Sequence, residues 1–70
     1  LFETILVSAN DEYVKHFLDN KIKFTDIYIN LFKLINKKEF YKYKFISPKN
    51  INDIIKLSNY VRMKINSKGI

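Results

Sequence analysis

Apolar side chains recur along this chain with helical spacing in three blocks, and the fold this predicts is all-α. In the first block, about residues 3 to 19, successive positions are set 100° apart. Phe2, Ile5, Leu6, Val7, Ala9, Tyr13, Val14, Phe17 and Leu18 then cover one broad arc. Thr4, Ser8, Asp11, Glu12, Lys15 and Asp19 take the remainder. So wide an arc implies at least two packing neighbours. Asn20 suits the exit, because Asn tolerates the left-handed conformation that ends helices. The second block, about 26 to 38, has Thr25 as N-cap, Asp26 in the first turn and Phe24 placed to staple onto that turn. Its main face is Ile27, Tyr28, Leu31, Leu34 and Ile35. The third block, about 51 to 67, carries a narrower stripe of Ile51, Ile54, Ile55, Leu57, Val61 and Ile65. Asn50 followed by Asp53 has the form of a capping box, and Gly69 suits the exit.

Between the last two blocks lies KEFYKYKFISPKN. The connector 39–50 either continues the second helix or runs extended with its aromatics laid on the bundle. Pro48 disfavours helix at Ser47, and the extended reading from about residue 41 is preferred. The expected architecture is a small bundle of three helices forming one domain, residues 1–70.

Composition adds limits. A chain of 70 residues buries only about 60% of its unfolded surface, so a domain this small is marginal alone. It has no cysteine, hence neither disulfides nor a cysteine zinc site. No apolar run approaches the length of a membrane span. The net charge is +6, yet Arg62 is the only arginine. Twelve Lys, eight Asn and eleven Ile make up close to half of the chain, and all three have A/T-rich codons. Much of the basicity therefore reads as genome composition. The chain starts at Leu1 and not at Met, so it reads as a piece of a longer protein, with any targeting segment upstream.

Four polar positions stand out as structural anchors: Asn10, Asp11, Asp26 and Arg62. Asn10 falls inside the apolar arc of the first helix, between Leu6 and Val14 in angle, and is expected to be a buried, hydrogen-bonded amide. Arg62 falls inside the stripe of the third helix and needs an acid, either Asp11 or Asp26. Asp11 and Glu12 are adjacent, so they diverge by 100° and do not converge on one substrate atom as paired acid and base must. They read as a solvated or ion-paired face. Glu12, His16 and Asp19 do share a ridge, a spacing open to a metal ion, but ligand types at helical spacing arise easily by chance. The Lys and aromatic side chains of residues 37–45 are weighed as a single-stranded RNA platform against a connector with aromatics in the core, and the connector is preferred. No complete catalytic constellation and no Gly-rich phosphate loop is present.

One stretch carries more. Ser8, Ala9, Asn10, Asp11, Val14, Phe17 and Leu18, then Ile22, Phe24, Asp26 and Ile27, follow the pattern A-A-N-E-x-x-V-x-x-F-L and I-x-F-x-D-I. Pro48, Asp53, Ile54, Ile55, Leu57 and Arg62 continue it. The chain thus resembles the C-terminal helical domain of the 1-deoxy-D-xylulose 5-phosphate reductoisomerases, from about residue 4 to 65. Asp11 replaces the usual Glu, Val7 a common Asn, and Ser58 and Val61 a frequent Asp and Ala. The connector is a few residues longer than typical.

The resemblance implies an NADPH-dependent parent enzyme of the non-mevalonate isoprenoid pathway. That enzyme isomerises deoxyxylulose phosphate and reduces the product to methylerythritol phosphate. It implies upstream NADPH-binding and catalytic domains in the same chain, a divalent metal (Mg or Mn) held there, and a homodimer. It also implies a fourth helix of the bundle upstream of Leu1. No catalytic, cofactor or metal residue maps onto this chain, and neither nucleic acid nor membrane is an expected partner. The expected location is a plastid for a plastid-bearing parasite, otherwise the bacterial cytoplasm. The alternative is a free-standing basic helical module that binds RNA or DNA. A metal-dependent enzyme built on Glu12, His16 and Asp19 is the third reading.

Overall fold

Helix ends are decided by a few side chains, and they divide the described residues into four α-helices. The computed structural model describes residues 1–67. It contains α1 (Phe2–Leu18), α2 (Phe24–Ile35), α3 (Lys38–Tyr41), a 3₁₀ segment (Lys42–Phe45) and α4 (Ile51–Ser67). No strand occurs among the described residues. Gly69, the expected exit of the last helix, lies outside them.

Asn20 ends α1. Its φ is 61°, the left-handed region. There the Asn20 N–H reaches the Phe17 carbonyl at 3.0 Å and the Lys21 N–H reaches the His16 carbonyl at 2.9 Å. This pair of bonds satisfies carbonyls that the helix end would otherwise leave open.

The second helix starts two residues before its expected first residue. Thr25 is inside α2 and not its cap. Asp26 does the capping instead: its carboxylate accepts the Lys23 N–H at 2.9 Å. Phe24 then lies in the first turn, edge-on to Phe17 with ring centroids 5.5 Å apart and to Tyr28 at 6.3 Å. The helix also stops at Ile35, short of residue 38. Asn36 turns its side-chain amide onto the Phe32 carbonyl at 2.8 Å, and Lys37 is extended. A short polar side chain that bonds its own backbone competes with helix continuation.

The connector differs from the preferred extended reading. Residues 38–45 coil into α3 and the 3₁₀ segment, and only about Ile46 to Asn50 lacks helix. The restriction imposed by Pro48 reaches back one residue, to Ser47, and leaves the rest free to coil. Coiling places Phe40 fully inside the core. Tyr41 and Phe45, expected to lie on the bundle, are exposed, while Tyr43 is half-buried. α4 begins as the sequence suggests: Asn50 Oδ1 accepts the Asp53 N–H at 3.1 Å, and the Asp53 carboxylate accepts the Lys49 N–H at 3.3 Å.

Ile5, Ala9 and Tyr13 of α1 meet Leu57, Val61 and Ile65 of α4, with Ile27 and Leu34 of α2 and Phe40 of α3 completing the core. Tyr28, assigned by periodicity to the main face of α2, is exposed, as are Ile51 and Ile55 of α4.

Phe40→Ala is expected to cost about 3–5 kcal/mol, enough to unfold a domain this small. Phe45→Ala should stay within about 0.5 kcal/mol. Urea midpoints of the two variants check this, and equal midpoints would contradict the burial pattern.

Candidate functional site

Three polar layers join α1 to α4. Ser8 Oγ donates to Ser58 Oγ at 2.8 Å. One turn on, Arg62 Nη1 donates to Glu12 Oε1 at 3.0 Å. One turn further, His16 Nε2 and Asn66 Oδ1 are 2.8 Å apart. Residues 8, 12 and 16 thus face 58, 62 and 66 in ascending order, so the two helices run parallel. Each step of four residues returns to the same helix face.

Arg62 ties the layers together. Its Nε donates to Ser58 Oγ at 3.3 Å and its Nη2 to Asp11 Oδ2 at 3.4 Å. Asn66 ties the other end, donating from Nδ2 to Glu12 Oε2 at 3.2 Å. Because that amide donates to a carboxylate, its oxygen is left to accept, and His16 must carry its proton on Nε2. His16 Nδ1 is buried without a partner among the described residues.

Glu12 is the centre of this seam, with only 6% of its surface exposed. Burial pushes its carboxyl up. The bonds from Arg62 and Asn66, with the charges of Lys15 and Arg62, outweigh burial and hold it below the usual carboxylate range.

The four anchors expected from sequence separate here. Arg62 and Asp11 meet. Asp26 does not approach Arg62 and caps α2 instead. Asn10 is exposed, not buried. The centre of the apolar arc is not the centre of the buried face: Glu12 and His16 draw that face toward α4 and leave Asn10 outside. Glu12, read with Asp11 as a solvated or ion-paired face, is buried and ion-paired to Arg62. It was missed together with Asn66 and the two serines. The signal available was the matched four-residue spacing of Ser8, Glu12, His16 and Ser58, Arg62, Asn66.

The metal reading does not fit. Both Glu12 oxygens are bonded, His16 Nε2 carries its proton toward Asn66, and Asp19 is exposed. No cluster of three metal-binding side chains occurs among the described residues. On the Lys and aromatic segment, the rings already carry local cations. Lys44 Nζ sits 4.6 Å from the Tyr41 centroid and 5.2 Å from that of Phe2, and Lys42 lies over Tyr43 at 5.4 Å. Glu39 pairs with Lys64 and accepts from the Tyr60 hydroxyl at 3.3 Å, which fastens α3 to α4. The Lys64 bond, against a smaller effect of burial, holds the Glu39 carboxyl low.

A lowered carboxyl stabilises the fold above its unfolded pKa, and that stability is lost as pH falls through the folded pKa. Arg62→Met leaves Glu12 buried without its cation. The expected cost at pH 7 is about 2 kcal/mol, below the 3–5 typical of a fully buried pair because the Arg62 side chain is 34% exposed. The melting-temperature gap between parent and variant should narrow below about pH 4.5, as Glu12 takes up a proton in both. A gap independent of pH would contradict this role.

The model of the DXP reductoisomerase C-terminal domain matches residues 1–64. The 1-deoxy-D-xylulose 5-phosphate reductoisomerase of Pelagibacter ubique (strain HTCC1062) is 54% identical over 70 residues, covering 100% of this chain and 18% of that protein. The enzyme of the same name from Photorhabdus laumondii subsp. laumondii is 39% identical over 59 residues, covering 84% of this chain and 14% of that protein. The chain therefore spans less than a fifth of the length of either relative. No solved structure matches it significantly. With the family model covering nearly all of the chain, this protein belongs to the DXP reductoisomerase family, of which it is the C-terminal domain.

Proposed function

We propose that this domain is the structural C-terminal bundle of an NADPH-dependent reductoisomerase that converts 1-deoxy-D-xylulose 5-phosphate to methylerythritol phosphate, and that it braces the upstream NADPH-binding and catalytic domains. The family match carries the enzymatic part of this reading, and the polar seam supports its bracing part. Arg62, Glu12, Asp11, His16 and Asn66 are spent on one another across α1 and α4. A helix pair locked in this way is a rigid support. Rigid support matters to chemistry elsewhere, because a displacement of about 1 Å at a reacting centre costs about 10²-fold in rate.

The cofactor and metal expected of the parent enzyme do not fit the residues here. Two members of the metal ridge, Glu12 and His16, are engaged in hydrogen bonds with Arg62 and Asn66, and the chain has a single glycine, too few for a dinucleotide-binding loop. NADPH and Mg or Mn are accordingly assigned to the upstream domains. The parent enzyme works as a homodimer on this reading. No helix among the described residues is long and apolar enough to cross a membrane. Similarity to the Pelagibacter enzyme supports the bacterial cytoplasm over a plastid.

The test uses the full-length protein. It should oxidise NADPH when given deoxyxylulose phosphate and Mg or Mn, and absence of turnover would remove the reading. Arg62→Met should lower the melting temperature by several degrees while the metal affinity and KM at 25 °C stay within about twofold. A variant of unchanged stability that lost metal binding would place Arg62 in the chemistry and overturn the bracing role.

A further inference from the structure

One buried hydroxyl in this domain lacks a protein partner. Tyr13 is 2% exposed, and its phenol makes no hydrogen bond among the described residues. Nor is that oxygen sealed inside the core. What remains of its surface opens on a crevice of about 140 Å³. The crevice exists because α2 and α4 both pack on α1 but make no close backbone approach to one another among the described residues. Its floor is the Tyr13 ring with buried Leu34 and Ile65.

The rim carries donors and no carboxylate. Asn30 and Lys33 come from α2, Lys37 from the turn after it, and Lys64 from α4. Lys33 makes no ion pair among the described residues. Lys64 uses two of its three N–H groups, one on Glu39 and one on the Tyr60 hydroxyl at 3.5 Å. The acids nearest to these residues are committed elsewhere. Glu12 is held by Arg62 and Asn66, Asp26 by the Lys23 N–H, and Glu39 by Lys64 and Tyr60. Burial pushes the Tyr13 phenol up, so it keeps its proton and donates as well. Lys33 in the last turn of α2 also answers the helix dipole. The dipole accounts neither for Lys64, which belongs to another helix, nor for the hydroxyl of Tyr13. Its negative end is worth roughly half a charge, which Lys33 alone exceeds.

We propose that this crevice binds a phosphate group, either free or at the end of a short ester. Ammonium groups from two sides, an amide and a phenol supply donors only, which suits an ion of several acceptor oxygens, and Lys is a regular phosphate ligand. The apolar floor lowers the local dielectric and strengthens each of these attractions. Size sets the limit. Pockets for drug-sized ligands run to roughly 300–1,000 Å³, so the crevice excludes a nucleotide and admits little beyond the phosphate itself. A bound phosphate would join α2 to α4, the two long helices that do not pack directly. This goes beyond the bracing role and does not depend on it.

The experiment puts 3-fluorotyrosine in place of Tyr13 in the full-length protein and follows its fluorine NMR signal. Inorganic phosphate and methyl phosphate are titrated separately, each against sodium chloride of matched ionic strength. The same label in place of exposed Tyr28 is the control. The expected result is a saturable shift at position 13 with phosphate and none with chloride, while position 28 stays still. Lys33→Gln should raise the midpoint about fivefold, the loss of one exposed charge contact. A lower midpoint for methyl phosphate would assign the crevice to esters, and a lower one for inorganic phosphate to the free ion. A response equal to that of chloride would overturn the proposal. So would a midpoint unchanged in Lys33→Gln, since phosphate bound elsewhere in the chain moves parent and variant alike.

Discussion

Everything in this domain depends on a buried carboxylate that must not be left alone. Glu12 lies in the interface between the first and last helices, and an unpaired charge in that position is strongly destabilising. Arg62 and Asn66 remove the penalty, but only if α4 lies parallel to α1 and in one register. A shift by one residue would rotate Arg62 about 100° away. The apolar pairs Ile5, Ala9 and Tyr13 against Leu57, Val61 and Ile65 are compatible with several sliding positions. The polar layers select among them, which is the registry role that buried polar groups serve best.

Parallel helices also dictate the path between them. The chain leaves α1 at one end and must enter α4 at the other. α2 spans about 18 Å of the return. The left-handed Asn20 and the Asp26 cap set its departure angle. The remaining distance is covered by α3, the 3₁₀ segment and the extended approach to Asn50, with Phe40 as the anchor that keeps this path on the core. The Glu39–Lys64 pair then fixes the connector to the helix it leads into.

The sequence was readable where one residue decides the outcome locally. Asn20 marked the end of α1, and Asn50 with Asp53 marked the start of α4, because their side chains act on backbone groups a few positions away. It was less readable where the outcome depends on a partner distant in the chain. The arc on α1 was correctly seen as too wide for one neighbour, but its centre was placed at Asn10. Buried polar side chains make the inward face of α1 less apolar than a wheel expects, and uncovered Val7 and Leu18 make the outward face more so. The connector misled for a related reason. Alternation of Tyr and Lys at 41–45 imitates a strand, whereas the buried aromatic is Phe40, one position ahead of that pattern.

The seam's partners lie about fifty residues apart in the chain. Contacts of that separation form late, since loop closure must precede any reward from them. During synthesis, Glu12 and His16 emerge long before Arg62 and Asn66. Until α4 is free of the ribosome, the nascent chain has no partners for the buried polar side chains of α1. The domain therefore behaves as an all-or-nothing unit in translation, and a chain interrupted within α4 exposes the unfinished face of α1 to proteolysis.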